Sequence, residues 1–125
     1  MADIIPHFEH YSFIRNHHKY ANNYEYRKAI YLMNKKTHLD NGFAIFKEDT
    51  GISSPIGVLY YQYFDEIGQV QNELMSRKNA IQCVASQKSL HQIGVQQVKY
   101  GLTQQPEVWD YADNIDTMKF LLELK

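Results

Sequence analysis

Six histidines, one cysteine and ten tyrosines are the side chains of this sequence with the widest scope for chemistry. His17 and His18 are adjacent. On a helix, adjacent side chains diverge by about 100°, so this pair does not chelate one ion as histidines four apart can. His7, His10 and His17 come closer to a set, but no Cys, Asp or Glu completes it at a recognised ligand spacing. No metal site is expected. Cys83 falls in the short apolar run Ile81–Ala85. A nucleophilic thiolate wants partial exposure and an electropositive setting, and a strand covered on both faces offers neither. A structural Cys83 is therefore expected. Ser53 with His17 or His18 would make a hydrolase, yet Ser53 and Ser54 lack the flanking glycines of a nucleophile elbow. The glycines at 42, 51, 57, 68, 94 and 101 fall at neither dinucleotide-fingerprint nor P-loop spacing. Glu66 and Glu73 read as solvated residues on a helix flank. Read from its residues alone, the chain carries no complete catalytic apparatus.

Tyr20, Tyr24 and Tyr31 form one stripe at helical spacing, and Tyr26, Ile30 and Met33 form a second. A helix over about 22–34, buried on more than one side, follows. Core or interface packing explains the tyrosines more economically than stacking on nucleic-acid bases. Their hydroxyls need partners when buried, which favours a large, polar-lined interface.

Asn41-Gly42 breaks the chain before a strand over 42–46, and the turn residues 49–55 separate it from a strand over 56–64. Asp65 is the expected N-cap of a helix whose apolar face is Ile67, Val70 and Leu74, closed by Arg77, Lys78 and a left-handed Asn79. Residues 81–85 make a buried strand, and strand, helix and strand in that order imply a parallel βαβ crossover. One more strand lies over 95–100. Asp110, Asp113 and Asp116 precede a closing amphipathic helix with Ile115, Met118 and Leu122 on one face. The expected fold is α/β: N-terminal helices, then a mixed, partly parallel sheet with a βαβ crossover, in one domain spanning 1–125. The helices look too few to cover both faces of a parallel sheet, which points to packing on another copy or another segment.

Composition bounds the rest. The 13 basic and 14 acidic residues nearly cancel, which argues against nucleic acid and against a polybasic membrane anchor. No apolar run approaches the roughly 20 residues of a membrane span. The first residues lack the basic and apolar regions of a signal peptide. A single cysteine fits a reducing compartment, so a cytoplasmic location is expected.

Several runs carry a resemblance. They are 17–26 (HHKYANNYEY), 28–34 (KAIYLMN), 38–43 (HLDNGF), Ser53-Ser54-Pro55 leading into 58–61 (VLYY), 81–84 (IQCV), 109–113 (WDYAD) and Asp116-Thr117-Met118. Together they resemble the C-terminal segment of bacterial acyl-CoA reductases, the luminescence-type fatty-acid reductases of the aldehyde dehydrogenase superfamily. The resemblance covers nearly the whole chain and implies a fragment of an aldehyde-dehydrogenase-like catalytic domain. That family reduces a long-chain acyl thioester to an aldehyde with NADPH through an acyl-cysteine. Its nucleotide-binding domain and nucleophile lie N-terminal to the segment present here, so Cys83 does not inherit the nucleophile's role. The superfamily's Glu-aliphatic-Phe-Gly-Pro motif would fall on 51–55, where only Ile52 and Pro55 match and Gly51 replaces the glutamate. Ser53, Ser54 and Pro55 are the cofactor-side candidates that remain. His17, His18 and Tyr20, with Gly101 and Gln104 of the late glycine-containing loop, are the substrate-side candidates. The resemblance implies a chain that binds no NADPH by itself, with acyl-CoA, the remainder of a reductase or a second copy of itself as partners. The alternative is a non-enzymatic, self-associating binding module.

Overall fold

A computed structural model describes residues 2–111 and 115–124. The chain is mixed α/β and forms two compact units, residues 1–63 and 64–125.

The first unit opens with a 3₁₀ segment, Ala2–Asn16. With three residues per turn, Ile5, Phe8 and Ile14 stack along one edge of it, and all three pack on the sheet. Helix α1 follows, His18–Met33, with His17 as its N-cap. It ends in a left-handed turn at Lys35 (φ 49°), where Lys36 N–H donates to the Tyr31 carbonyl (2.9 Å) and Lys35 N–H to that of Leu32 (3.1 Å). This stop satisfies orphan carbonyls of the last turn and directs residues 36–38 into the sheet. Strand β1 (Leu39–Asp40) pairs antiparallel with β2 (Ile45–Glu48), and β2 pairs in parallel with β3 (Val58–Tyr61).

Strand alternation then divides the side chains between two layers. Ile45 and Val58 face α1 with Tyr24 and Tyr31, and Tyr60 packs at their margin. Phe46, with Phe43, Ala44 and Tyr61, faces the 3₁₀ segment. The parallel pair of this unit thus carries packing on both faces from within the unit, with Leu59 of β3 left 42% exposed. Only one side of α1 is buried. Of the second stripe Ile30 packs against the same core cluster, while Tyr26 is exposed and Met33 is 83% exposed.

The parallel pair also corrects the βαβ expectation. β4 (Cys83–Ala85) pairs with β5 (Gln96–Val98) and not with β3, so no strand–helix–strand crossover forms. Residues 49–57 return the chain for β3 without a helix. Asp49 Oδ1 accepts from Gly51 N–H (2.9 Å), Ser54 Oγ donates to the Val58 carbonyl (2.7 Å), and Val58 N–H donates to that of Pro55 (3.0 Å). Gly57 completes the return at φ +80°, with its α-carbon against Tyr24; a Cβ there would lie 3.1 Å from Tyr24 Cβ and 3.2 Å from Tyr24 Cα. Gly57→Ala combines a disfavoured conformation with backbone crowding and should cost about 1–2 kcal/mol, read as a lower urea midpoint.

In the second unit α2 spans Ile67–Ser76. Its N-cap is Glu66 and not Asp65, and no side chain caps from that position. Gln69 instead reaches back, its Oε1 accepting from Asp65 N–H (3.4 Å). Asn79 lies in a 3₁₀ turn (Lys78–Ala80) and is not left-handed. Cys83 and Val84 are only half-buried, so β4 is not covered on both faces. The buried residues are Leu90 and Ile93, the latter 2% exposed. Gln97 holds their loop by bonding both the N–H and the carbonyl of Leu90. Helix α3 (Thr117–Glu123) is capped by Asp116, which accepts from Lys119 N–H (2.9 Å). Its expected apolar face is not packed, since Ile115, Met118 and Leu122 are all exposed. Ala112 and Asp113 lie outside the described residues.

Candidate functional site

Two of the candidate residues meet at the junction of the 3₁₀ segment and α1. His17 Nδ1 accepts from Tyr20 N–H (3.3 Å), a helix cap that commits that nitrogen and leaves Nε2 available. The Tyr20 hydroxyl donates to the Phe43 carbonyl (2.8 Å), tying α1 to the segment that leads into β2. Burial pushes the Tyr20 phenol up from its ordinary value, so it stays a neutral donor. Around this junction is a cavity of about 430 Å³ lined by Phe13, Ile14, His17, Lys19, Tyr20 and Ile56. Its walls are mainly hydrocarbon and its polar groups are few, the composition expected of a site for an apolar ligand with a polar end. His18 is exposed at the first position of α1 and does not line it. The linings that the candidates did not include are Phe13, Ile14, Lys19 and Ile56. Phe13 and Ile14 precede His17 by four and three residues, a helical spacing that could have found them. Ile56 has no such local signal.

Gly101 and Gln104 belong to the second unit. Gly101 takes φ +83° in an exposed turn, and Gln104 lines a groove of about 480 Å³ with Cys83, Gln96, Thr103, Asp110 and Tyr111. Cys83 is a free thiol at the edge of this groove. No His or Lys lines the groove as a base for it.

The residues at 53–55 build the return between β2 and β3. The Ser54 hydroxyl donates to the Val58 carbonyl, the Pro55 carbonyl accepts from Val58 N–H, and Ser53 is exposed. Among the described residues no hydrogen bond joins Ser53 to His17 or His18. Among the described residues no three His, Cys, Asp or Glu side chains come together as metal ligands, and no helix is long and apolar enough to cross a membrane.

Comparison of the chain with family models, with curated proteins and with solved structures finds no match. What the site can do therefore rests on its own geometry.

Proposed function

We propose that the chain is the C-terminal part of an acyl-CoA reductase catalytic domain, that it contributes a wall of the acyl-chain site, and that it reduces nothing by itself. The cavity at the junction of the 3₁₀ segment and α1 carries this reading. Phe13, Ile14 and Ile56 offer hydrocarbon to an acyl chain, and Lys19 and His17 offer charge or a hydrogen bond to its polar end. The resemblance of runs 17–26 and 53–61 to acyl-CoA reductases supports the same assignment. Nucleotide binding and the acyl-cysteine belong, on this reading, to the remainder of a cytoplasmic reductase, reached as a partner chain or a longer polypeptide.

Thermal unfolding tests it. A long-chain acyl-CoA at ten times its Kd should stabilise the chain by about 1.4 kcal/mol, a rise of several degrees in Tm for a domain of this size. NADPH should give no shift, and Phe13→Asp should abolish the acyl-CoA shift. Aldehyde formed from acyl-CoA and NADPH by the chain alone would overturn the inactive part of the reading. Absence of any acyl-CoA shift would overturn the binding part.

One observation favours the alternative, a self-associating binding module. Trp109, Phe120, Leu121 and Leu122 are all exposed in and before α3, a large apolar surface for so small a unit. A homo-oligomer in sedimentation that ignores acyl-CoA would decide for that alternative.

A further inference from the structure

A second cavity of the first unit lies elsewhere, at the carboxyl ends of the parallel strands. It measures about 630 Å³. Ligands of open α/β sheets bind outside the carboxyl ends of parallel strands, because there the loops diverge and leave a crevice. Here β2 ends at Glu48 and β3 at Tyr61, and the antiparallel β1 begins at the same end, so residues 36–39 enter beside them.

The chemistry of the lining is divided across the sheet. Lys47 faces α1, where its ammonium lies over the rings of Tyr31 and Tyr60 (5.9 and 5.4 Å to the centroids) and is paired with Asp49. That pair is self-neutralised. Glu48 points to the other face, in register with Tyr61, and makes no ion pair among the described residues. The Tyr61 and Tyr63 rings meet edge to face (centroids 5.5 Å apart, 83° between planes) and form a corner beside it. A carboxylate next to two perpendicular aromatic walls is a receptor for an organic ammonium group. On the β1 side, Lys36 carries a positive charge with no ion pair among the described residues. His38 stands beside it, its Nδ1–H donating to the Lys36 carbonyl (2.7 Å) and its ring against Tyr31. The carbonyl can only accept, so this bond fixes the ring's tautomer and orientation.

The lining charges of Lys36, Lys47, Glu48 and Asp49 cancel, and the two unpaired ones stand on opposite sides. We propose that this cavity binds a small zwitterion, an ammonium carboxylate whose cationic end sits against Glu48, Tyr61 and Tyr63 and whose carboxylate meets Lys36. Both charges line the one cavity, so a ligand that carries its ammonium and carboxylate on a short chain of methylenes is the fitting probe. The site is independent of the acyl cavity and of the reading built on it.

Isothermal titration calorimetry with γ-butyrobetaine tests this on the full chain. Binding in the submillimolar range is expected. Choline lacks the carboxylate and 5,5-dimethylhexanoate lacks the positive charge, and each should bind at least about tenfold more weakly, the equivalent of one lost charge contact. Glu48→Gln and Lys36→Gln should each weaken γ-butyrobetaine about tenfold. Both side chains sit at the surface, so the Tm of these variants should stay that of the parent protein. No heat of binding at about 10 mM γ-butyrobetaine would overturn the proposal. So would equal affinity for choline and γ-butyrobetaine, or variants of unchanged Tm that bind as the parent does.

Discussion

Phe46→Ala should unfold the first unit at room temperature. Phe46 is 2% exposed and packs with Phe43 and Ala44 between β2 and the 3₁₀ segment, its ring meeting Phe8 edge to face (5.5 Å, 71°). Removing a buried ring of this size costs about 3–5 kcal/mol, part lost transfer energy and part cavity. A unit of about 60 residues buries only about 60% of its unfolded surface and is correspondingly marginal. Its total stability is on the order of 5 kcal/mol, so the loss is comparable to the whole. Collapse around the gap is limited, because the 3₁₀ segment that would have to move is anchored by Ile5 and Ile14 as well. Urea titration followed by circular dichroism would show a lost or strongly lowered transition. Phe13, 67% exposed, supplies the control, since Phe13→Ala should move the midpoint by under about 0.5 kcal/mol. If both variants melted alike, the two-layer packing on β2 would be wrong.

Asp40→Ala should cost about 2 kcal/mol and remove part of the protein's acid sensitivity. The Asp40 carboxylate accepts from the Tyr24 hydroxyl (2.6 Å) and from Gly42 N–H (2.8 Å), and pairs with Lys28 (2.8 Å). Deleting it leaves a phenol and an ammonium without their acceptor at once. The figure is that of lost charge-assisted hydrogen bonds and not of a buried pair, because the cluster lies at the surface and Lys28 is about one-third exposed and screened.

The signs of the pH dependence follow from the same cluster. Burial by itself would raise the Asp40 carboxyl, but hydrogen bonds from Lys28, Tyr24 and Gly42 outweigh it and hold the group below the usual carboxylate range. Its stabilisation is therefore complete above the unfolded value near 3.9 and is lost as pH falls through the lower folded value. Lys28 is raised, first by its bond to Asp40 and then by Tyr24. Tyr24 is pushed up to about 12, first by burial and then by its bond to Asp40. Both contributions are complete below about 10 and are lost as pH rises through the folded values. Urea midpoints measured across pH should thus fall at both extremes in the parent protein. In Asp40→Ala both limbs should flatten, because the carboxylate is gone and Lys28 and Tyr24 then lie nearer their unfolded values. An unchanged acid limb would show that carboxylates elsewhere govern it.

Local features were legible because helical and strand periodicities are local. The stripe Tyr20, Tyr24 and Tyr31 does face the core, and α1 occupies His18–Met33 around the expected 22–34. The strand expected over 95–100 contains β5, Gln96–Val98. The second stripe held only at Ile30, which packs against the core, while Met33 at the end of α1 and Tyr26 are exposed. Periodicity says which residues share a side of a helix, but not whether anything packs on that side.

Pairing was a different matter. An apolar strand looks the same whether its parallel partner is β2 or β4, and a helix between two strands makes the βαβ choice attractive. The structure joins β2 to β3 through the 49–57 return, which depends on Gly57 fitting against Tyr24, a contact between residues 33 apart. The same return brings Ile56 to His17 and Tyr20, and the same parallel pairing sets Glu48 beside Tyr61. The sequence by itself determined α1, α2 and α3, the segments that hold β3, β4 and β5, and the buried side of α1, because each depends on neighbours within a few residues. Strand β1 was not foreseen, and β2 runs Ile45–Glu48 where a strand over 42–46 was expected. Which strands pair, and therefore which side chains share a cavity, was decided only by the tertiary structure, because that choice balances long-range packing against the entropy of closing the chain between them.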